Sequence, residues 1–261
     1  MNNINGADAR QQYILEYINK NEFVDVTRLS EELGVSEMTV RRDFMKMEVD
    51  KLLLRVHGGA VPIPKSSSEL PLNRRISVNS QEKNVIGKYA ASLVEPGEAI
   101  ALDASTTVLM MAKYLTVEAT VVTNNIEAVL HLISNPLIEL ILLGGSVRKP
   151  SASTVGFEMI QMMEHYTVDK VFLSSKAVDI VHGITDATPN EGEAKKAMLA
   201  TGNKIYLLMD HTKLNMSAFY KVCNLNNSFH IITDAYDGYS DAQKQFIQYC
   251  KEADIPIHFA K

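Results

Sequence analysis

The chain has 261 residues, 46% of them hydrophobic and 22% charged, with a formal net charge of −5 at pH 7. That is enough apolar material for one large domain or two, and no apolar run reaches the roughly 18 residues a membrane-spanning helix needs. The acidic balance excludes binding of polyanions through the field of the whole molecule. The two cysteines and seven histidines have no metal-ligand spacing, and no cofactor is expected.

The start, Met1 to Asp8, lacks a basic region followed by an apolar run and does not read as a signal peptide. Ala9 to Asn19 reads as a helix with Ile14, Leu15 and Ile18 on its apolar stripe, and Val26 to Leu33 as a short second helix ended by Gly34. Ser36 is placed to cap a third helix, in which Val40, Phe44 and Met47 recur at spacings of four and three. Met38, Arg42 and Met45 fall on the opposite face, with Thr39 and Arg41 flanking them and Lys46 nearby. A helix that buries one stripe and offers paired arginines near its N-terminus suits the major groove of DNA. Any DNA contact must rest on such a local patch, since Met38 to Gly58 holds five basic against three acidic side chains. Lys51 to Val61 reads as strand, glycine turn and return strand, the wing of a winged helix, with Arg55 and His57 as its polar groups.

Residues 62–72 form a Pro/Ser-rich linker, dividing an all-α-rich winged helix-turn-helix (1–61) from a second domain (73–261). Asn73 to Leu93 is helical in pattern, with Ile86, Tyr89, Ala90 and Leu93 on one face. Beyond Pro96-Gly97 short apolar runs alternate with helices. Strands are expected at Ala99–Leu102, Thr120–Val122, Ile138–Leu143, Lys170–Leu173, Ile205–Met209 and His230–Ile232, with Ile257–Phe259 as a last edge strand. Helices are expected near Val108–Leu115, Asn125–Ser134, Glu191–Ala200 and Asp241–Glu252. This is a Rossmann-like α/β fold, an open and mostly parallel sheet with helices on both faces.

Such sheets bind ligands at the carboxyl ends of their strands, and polar residues gather there. Asp103-Ala-Ser-Thr-Thr107 follows the first strand, Thr123-Asn-Asn125 the second, Gly144-Gly-Ser-Val-Arg148 the third, and Asp210-His-Thr-Lys213 a later one. Singly, Asp103 or Thr123 reads more often as a helix cap. Together the clusters point to a small phosphorylated ligand, with hydroxyls and a helix start for the anion, Arg148 and Lys213 for phosphate charge, and Asp210 for sugar hydroxyls. There is no GxGxxG and no GxxxxGK[ST]. His182 to Glu191 reads as a polar loop entering a helix. Glu191 and Lys195 are then either an exposed i,i+4 ion pair or a loop-and-lysine cover over the ligand.

Val35-Ser-Glu-Met-Thr-Val-Arg-Arg-Asp43 followed by Arg55-Val-His-Gly-Gly-Ala60 resembles the signature of the DeoR family of bacterial transcriptional regulators. The resemblance runs from about Arg10 to about Asp234. It implies a sensor domain similar in fold to ribose-5-phosphate isomerase. It also implies a cytoplasmic repressor of a carbohydrate operon, a homodimer or homotetramer, released from double-stranded operator DNA by a phosphorylated sugar. By that motif Ser36, Thr39, Arg41 and Arg42 face DNA. Asp103, Thr106, Thr107, Thr123, Asn124, Gly144, Gly145, Arg148, Lys195, Asp210 and Lys213 line the effector pocket. The chain departs from the family pattern at three places. Ser105 stands where a glycine is usual and either narrows the phosphate cradle or adds a hydroxyl to it. Asp50 or Lys51 stands at a left-handed turn usually given to glycine. Leu173-Ser-Ser-Lys-Ala177 replaces a glycine-rich stretch, so that Lys176 is a new ligand contact or an occluding side chain. Two rival functions are a constitutive repressor with a vestigial pocket and an isomerase-like enzyme using Asp103, Asp210 and Lys195 as acid–base groups.

Overall fold

The N-terminal elements form in the order the apolar spacing dictates. Helix α1 (Ala7–Asn21) is followed by a two-residue strand β1 (Val24–Asp25), helices α2 (Val26–Leu33) and α3 (Glu37–Val49), and the hairpin β2 (Leu53–Val56) and β3 (Gly59–Pro62). The computed structural model describes residues 7–21, 23–50, 52–62 and 72–261. Ile14, Ile18, Leu29, Val40, Phe44, Met47 and Leu53 close one buried core. Gly34 ends α2 in the left-handed conformation (φ 65°) that glycine adopts without steric cost. The hairpin has a third strand that the sequence pattern did not reveal, β1 paired antiparallel to β3. Two residues are too short for an alternation to show. Asp50, expected in the left-handed region, has φ −76° and ψ 3°. Lys51, the other candidate for that turn, lies outside the described residues, as do positions 63–71 of the Pro/Ser-rich linker.

The chain divides into two compact units, Met1–Lys65 and Ser66–Lys261. The second begins with α4 (Leu72–Ser77) and α5 (Ser80–Ala91), one helical stretch interrupted at Asn79, where φ is 50°. Then follow β4 (Glu98–Leu102), α6 (Thr106–Ala112), β5 (Ala119–Thr123), α7 (Ile126–Leu132) and β6 (Ile138–Leu142). A hairpin of β7 (Ser146–Arg148) and β8 (Ser153–Val155) precedes α8 (Phe157–Met163) and β9 (Val168–Leu173). β10 (Ala177–Asp179) and β11 (Gly183–Asp186) lead into α9 (Pro189–Leu199) and β12 (Gly202–Leu208). A 3-10 turn (His211–Lys213), β13 (Tyr220–Cys223), β14 (Phe229–Asp234), α10 (Asp241–Glu252) and β15 (Ile257–Ala260) complete the unit.

Seven strands form one sheet in the order β15-β14-β12-β9-β4-β5-β6, with parallel pairing throughout. Its inner strands are largely buried on both faces, hence their continuous apolar runs. Ile100, Leu102, Phe172 and Leu208 pack with α5, α6 and α7 on one side. Ala101, Val171, Leu173 and Leu207 pack with α8, α9 and α10 on the other. A small antiparallel sheet, β10-β11-β13, stands beside it. The stretch from His182, read from sequence as a loop, therefore contains a strand, β11, whose four residues are all buried. No helix among the described residues is long and apolar enough to cross a membrane.

Candidate functional site

Two places gather the candidate side chains, one in each unit. In the first, Ser36 (φ −69°, ψ 150°) caps α3, its Oγ accepting the Thr39 N–H at 3.2 Å. Glu37 Oε1 accepts the Thr27 hydroxyl at 2.7 Å and its Oε2 the Arg41 guanidinium at 3.3 Å, tying α2 to α3. Those two bonds, from the Thr27 hydroxyl and from Arg41, hold the Glu37 carboxyl below its ordinary range. Arg10 grips the buried Asp43 with Nε at 2.8 Å and a second nitrogen at 3.3 Å, fixing α1 against the inner face of α3. Val40, Phe44 and Met47 are buried on that face, and Met38, Arg41, Arg42, Met45 and Lys46 are exposed on the other. Thr39 is half-buried beside Ser36. Arg55 is committed to Glu48, by its backbone N–H at 3.0 Å and its guanidinium at 3.7 Å. His57 is exposed in the turn between β2 and β3. Arg41 and Arg55 are thus each held by a carboxylate, whereas Arg42 is an exposed cation with no ion-pair partner among the described residues.

The second place lies at the carboxyl ends of β4, β9 and β12. Asp103, 1% exposed, accepts the backbone N–H of Ser105 at 3.1 Å and of Ser174 at 3.3 Å, and its Oδ2 lies 2.9 Å from Lys195 Nζ. Lys195 projects from α9, 4% exposed, and also meets Asp186 at 3.3 Å and Glu191 at 4.0 Å. Burial alone would lower the Lys195 pKa, but Asp103, Asp186 and Glu191 outweigh it and the ammonium is held charged. Glu191 Oε1 accepts the hydroxyls of Ser151 at 2.6 Å and Ser153 at 3.0 Å, and Arg148 lies 3.5 Å away.

Next to this carboxylate-rich group is a cation-rich one. Asp210, 1% exposed, caps the 3-10 turn and accepts Asn79 Nδ2 at 3.0 Å, the Thr212 N–H at 3.2 Å and the Thr212 hydroxyl. Lys213 Nζ lies 3.9 Å from Asp210 and donates to Ser174 Oγ at 3.0 Å, linking the two groups through the Ser174 backbone that also binds Asp103. Lys83, 4% exposed on α5, donates to the carbonyls of Arg75 and Val78. Burial, with Lys213 adding to it, pushes the Lys83 ammonium down to about 7, and burial likewise lowers Lys213. Burial raises Asp210, yet Lys213, the Thr212 hydroxyl, Lys83 and Asn79 together hold it low.

Some sequence expectations change character here. Neither Asp103 nor Thr123 is a helix cap. Ser105 caps α6, accepting the Val108 N–H at 3.2 Å, and Asn125 caps α7. Thr123 donates to the Leu102 carbonyl at 2.6 Å, and Asn124 Nδ2 to the Thr154 carbonyl at 2.9 Å, so both stitch neighbouring segments together. The Oδ1 of Asn124 and the Oγ1 of Thr107 are buried with no hydrogen-bond partner, and Thr106 is buried beside Thr107. Glu191 and Lys195 are buried rather than an exposed ion pair, because α9 is aimed at the strand ends and Asp103 faces it. Gly144 and Gly145 are exposed and begin the β7–β8 hairpin. Gly145 has φ 125°, and a Cβ there would lie 2.7 Å from the Val155 carbonyl. That hairpin, which sequence pattern missed, carries Arg148 back to Glu191. Lys176 is half-buried between β9 and β10. The sequence reading also missed Asn79, Lys83, Ser174 and Asp186. Lys83 had a signal, a lysine at helical spacing from Ile86 and Ala90 within an apolar stripe. The others are brought in by tertiary turns.

Comparison with known proteins agrees with these two units. A DeoR-like helix-turn-helix domain model matches residues 10–66 and a DeoR C-terminal sensor domain model matches residues 78–235. An uncharacterised HTH-type transcriptional regulator of Bacillus subtilis, YulB, is 37% identical over 227 residues, 87% of this chain and 88% of that protein. The HTH-type transcriptional repressor GlcR of the same organism is 35% identical over 228 residues, 87% of this chain and 88% of that protein. Among solved structures, ribose 5-phosphate isomerase A of Methanocaldococcus jannaschii is similar with a TM-score of 0.39 and 19% identity, over 52% of this chain and 55% of that one. The capped, arginine-bearing α3, the wing behind it and the charged cluster at the sheet's carboxyl ends therefore belong to a DNA-binding transcriptional regulator of the DeoR family.

Proposed function

We propose that the protein represses a carbohydrate uptake or catabolic operon and leaves its operator when a phosphorylated sugar binds the charged cluster of the second unit. The observation that carries this reading is the polarity of that cluster. Lys195 is enclosed by three carboxylates, Asp103, Asp186 and Glu191, which suit sugar hydroxyls. Lys83, Lys213 and Arg75 gather around Asp210, with Asp186, Asp103 and Glu82 acting from farther off, and this concentration of cations suits a phosphate. A sugar phosphate has those two ends. Ser105, Thr106, Thr107, Thr123, Asn124, Arg148 and Lys176 surround or buttress the strand ends from which it is held. Gly144 and Gly145 act by turning the hairpin that delivers Arg148.

The DNA-reading residues in this proposal are Ser36, Met38, Thr39, Arg41, Arg42 and Lys46 on or beside α3, with Arg55 and His57 on the wing. The uncommitted Arg42 reaches a base edge or a phosphate, while Arg41 and Arg55 exchange a carboxylate for DNA. Residues 1–61 are the reading domain and 73–261 the sensor. A role for Lys195 as a general base is disfavoured, because a lysine held charged by three carboxylates has no free electron pair near neutral pH.

The test is a thermal shift of the full chain against a panel of sugar phosphates, followed by operator release. Binding at 100 times the dissociation constant adds about 2.7 kcal/mol to the stability of the native state. One strong hit that also releases operator supports the reading. A flat panel leaves a constitutive repressor with a vestigial pocket, and turnover of a sugar phosphate revives the enzyme. In the same assay Arg42→Ala is expected to weaken operator binding by about 5- to 150-fold with the thermal transition unchanged. Full affinity in that variant would remove α3 from the interface.

A further inference from the structure

Strand β6 ends the seven-stranded sheet, and its outer edge has no partner among the described residues. Two hydrogen bonds show which backbone groups line that edge. The Ala119 N–H donates to the Leu137 carbonyl at 3.1 Å, and the Leu143 N–H to the Thr123 carbonyl at 2.8 Å. Successive residues of a strand turn their N–H and C=O to opposite sides. Leu137, Glu139, Ile141 and Leu143 therefore face β5, while Ile138, Leu140 and Leu142 present their groups outward. The strand has one charge, Glu139, whose carboxylate accepts the Thr120 hydroxyl at 3.1 Å. It has no lysine or proline to blunt the edge. At the sheet's other edge, by contrast, the ring of Phe259 on β15 makes a T-shaped contact with Tyr239, centroids 6.4 Å apart.

Large apolar side chains are exposed on the elements around β6. Leu130 (64%) and Ile133 (69%) extend from α7 and its end, Leu137 (44%) and Leu142 (41%) stand at the two ends of the strand, and Val147 (62%) and Phe157 (71%) belong to β7 and α8. At about 200 Å² for a whole large apolar residue, these exposures come to roughly 700 Å². Spread over both flanks of the β6 edge, that approaches the ~800 Å² that each partner buries in a standard interface.

We propose that this edge is the interface with a second copy of the chain. Two β6 strands pair antiparallel about a two-fold axis at Leu140 and join two seven-stranded sheets into one. The register follows from the outward groups. An axis at Leu140 sets Leu140 against its counterpart and Ile138 against Leu142 of the second copy, so all three outward residues form hydrogen-bonded pairs. It also sets Glu139 against Ile141. Moving the axis to Glu139 opposes two carboxylates and uses fewer outward groups. The choice of a second copy as occupant rests on the regulator reading, since a helix-turn-helix protein reads a two-fold operator with two copies.

Sedimentation of the full chain, without DNA or sugar phosphate, tests the interface apart from that reading. The wild type is expected to be a dimer or a larger even-numbered assembly. Ile133→Glu places a charge on the exposed flank. Leu142→Pro removes an outward N–H while sparing the ladder to β5. Each is expected to raise the dissociation constant of this contact about 30-fold or more, or to halve the mass of a tetramer. Under mild oxidation Leu140→Cys is expected to give a covalent dimer, and Leu142→Cys is not, because position 142 faces 138. A monomeric wild type, or Ile133→Glu that keeps its thermal transition and the wild-type mass, overturns the interface. A dimer that Leu140→Cys cannot cross-link overturns the register. A failed operator assay with these sedimentation results intact would count against the regulator reading and leave the interface standing.

Discussion

Replacing Lys195 with methionine tests whether the sensor cluster is held by its buried charge. Methionine keeps most of the side chain's length and volume but leaves Asp103, formerly 2.9 Å away, Asp186 at 3.3 Å and Glu191 at 4.0 Å without their shared cation. Removing one partner of a buried ion pair costs about 3–5 kcal/mol, because the remaining charge stays desolvated. In a unit of this size that lowers Tm by roughly 6–20 °C. The sign with pH follows from the raised Lys195 pKa. A lysine whose folded value lies above its unfolded value contributes its full stabilisation below about pH 10, and loses it only as pH rises through the folded value. The deficit of the variant is therefore complete at pH 7.5. Calorimetry of the full chain at pH 7.5 reads this deficit. Adding Asp103→Asn to the Lys195→Met variant should restore about 1 kcal/mol or more, a coupling that independent sites would not show. A Tm within about 2 °C of the wild type at pH 7.5 would refute the reasoning, since it would mean the carboxylates are solvated without Lys195.

Two further predictions concern the cation-rich side and the hairpin. Because burial and Lys213 push Lys83 down to about 7, its folded pKa lies below its unfolded one, and its contribution to stability rises with pH from about 7 to about 10. A dianionic phosphate placed beside it favours the ammonium. Ligand binding should therefore take up close to one proton at about pH 8, and less toward pH 6. Calorimetric titration in two buffers of different ionisation enthalpy measures this, and zero uptake at pH 8 would place the phosphate elsewhere. Gly145→Ala puts a Cβ 2.7 Å from the Val155 carbonyl at φ 125°. It should cost about 2 kcal/mol or more and weaken sugar phosphate binding through the displaced Arg148. Unchanged affinity and Tm would show that the hairpin accommodates the methyl group.

The amino-acid sequence by itself determined the local elements. α2 and α10 have the limits their apolar spacing predicts. Ser36 caps α3, and the apolar runs became parallel strands, because each of these depends on contacts within a turn or two of chain or on burial on both sides. It also fixed which face of α3 is exposed, since a helix whose inner stripe is Val40, Phe44 and Met47 must turn Met38, Arg42 and Met45 outward. Only the tertiary structure decided which polar residues share a site. Asp103, Lys195 and Asp210 lie on segments far apart in sequence, and a parallel sheet brings their strand ends and α9 together. Asn79 enters that cluster through a left-handed break in a helical stretch, and Arg148 through a hairpin of two three-residue strands, features too short to leave a period in the sequence. Whether Glu191 and Lys195 would be an exposed pair or a buried one was likewise undecidable from their spacing. An i,i+4 separation fixes only that they share a helix face, and the direction of that face depends on where the sheet lies.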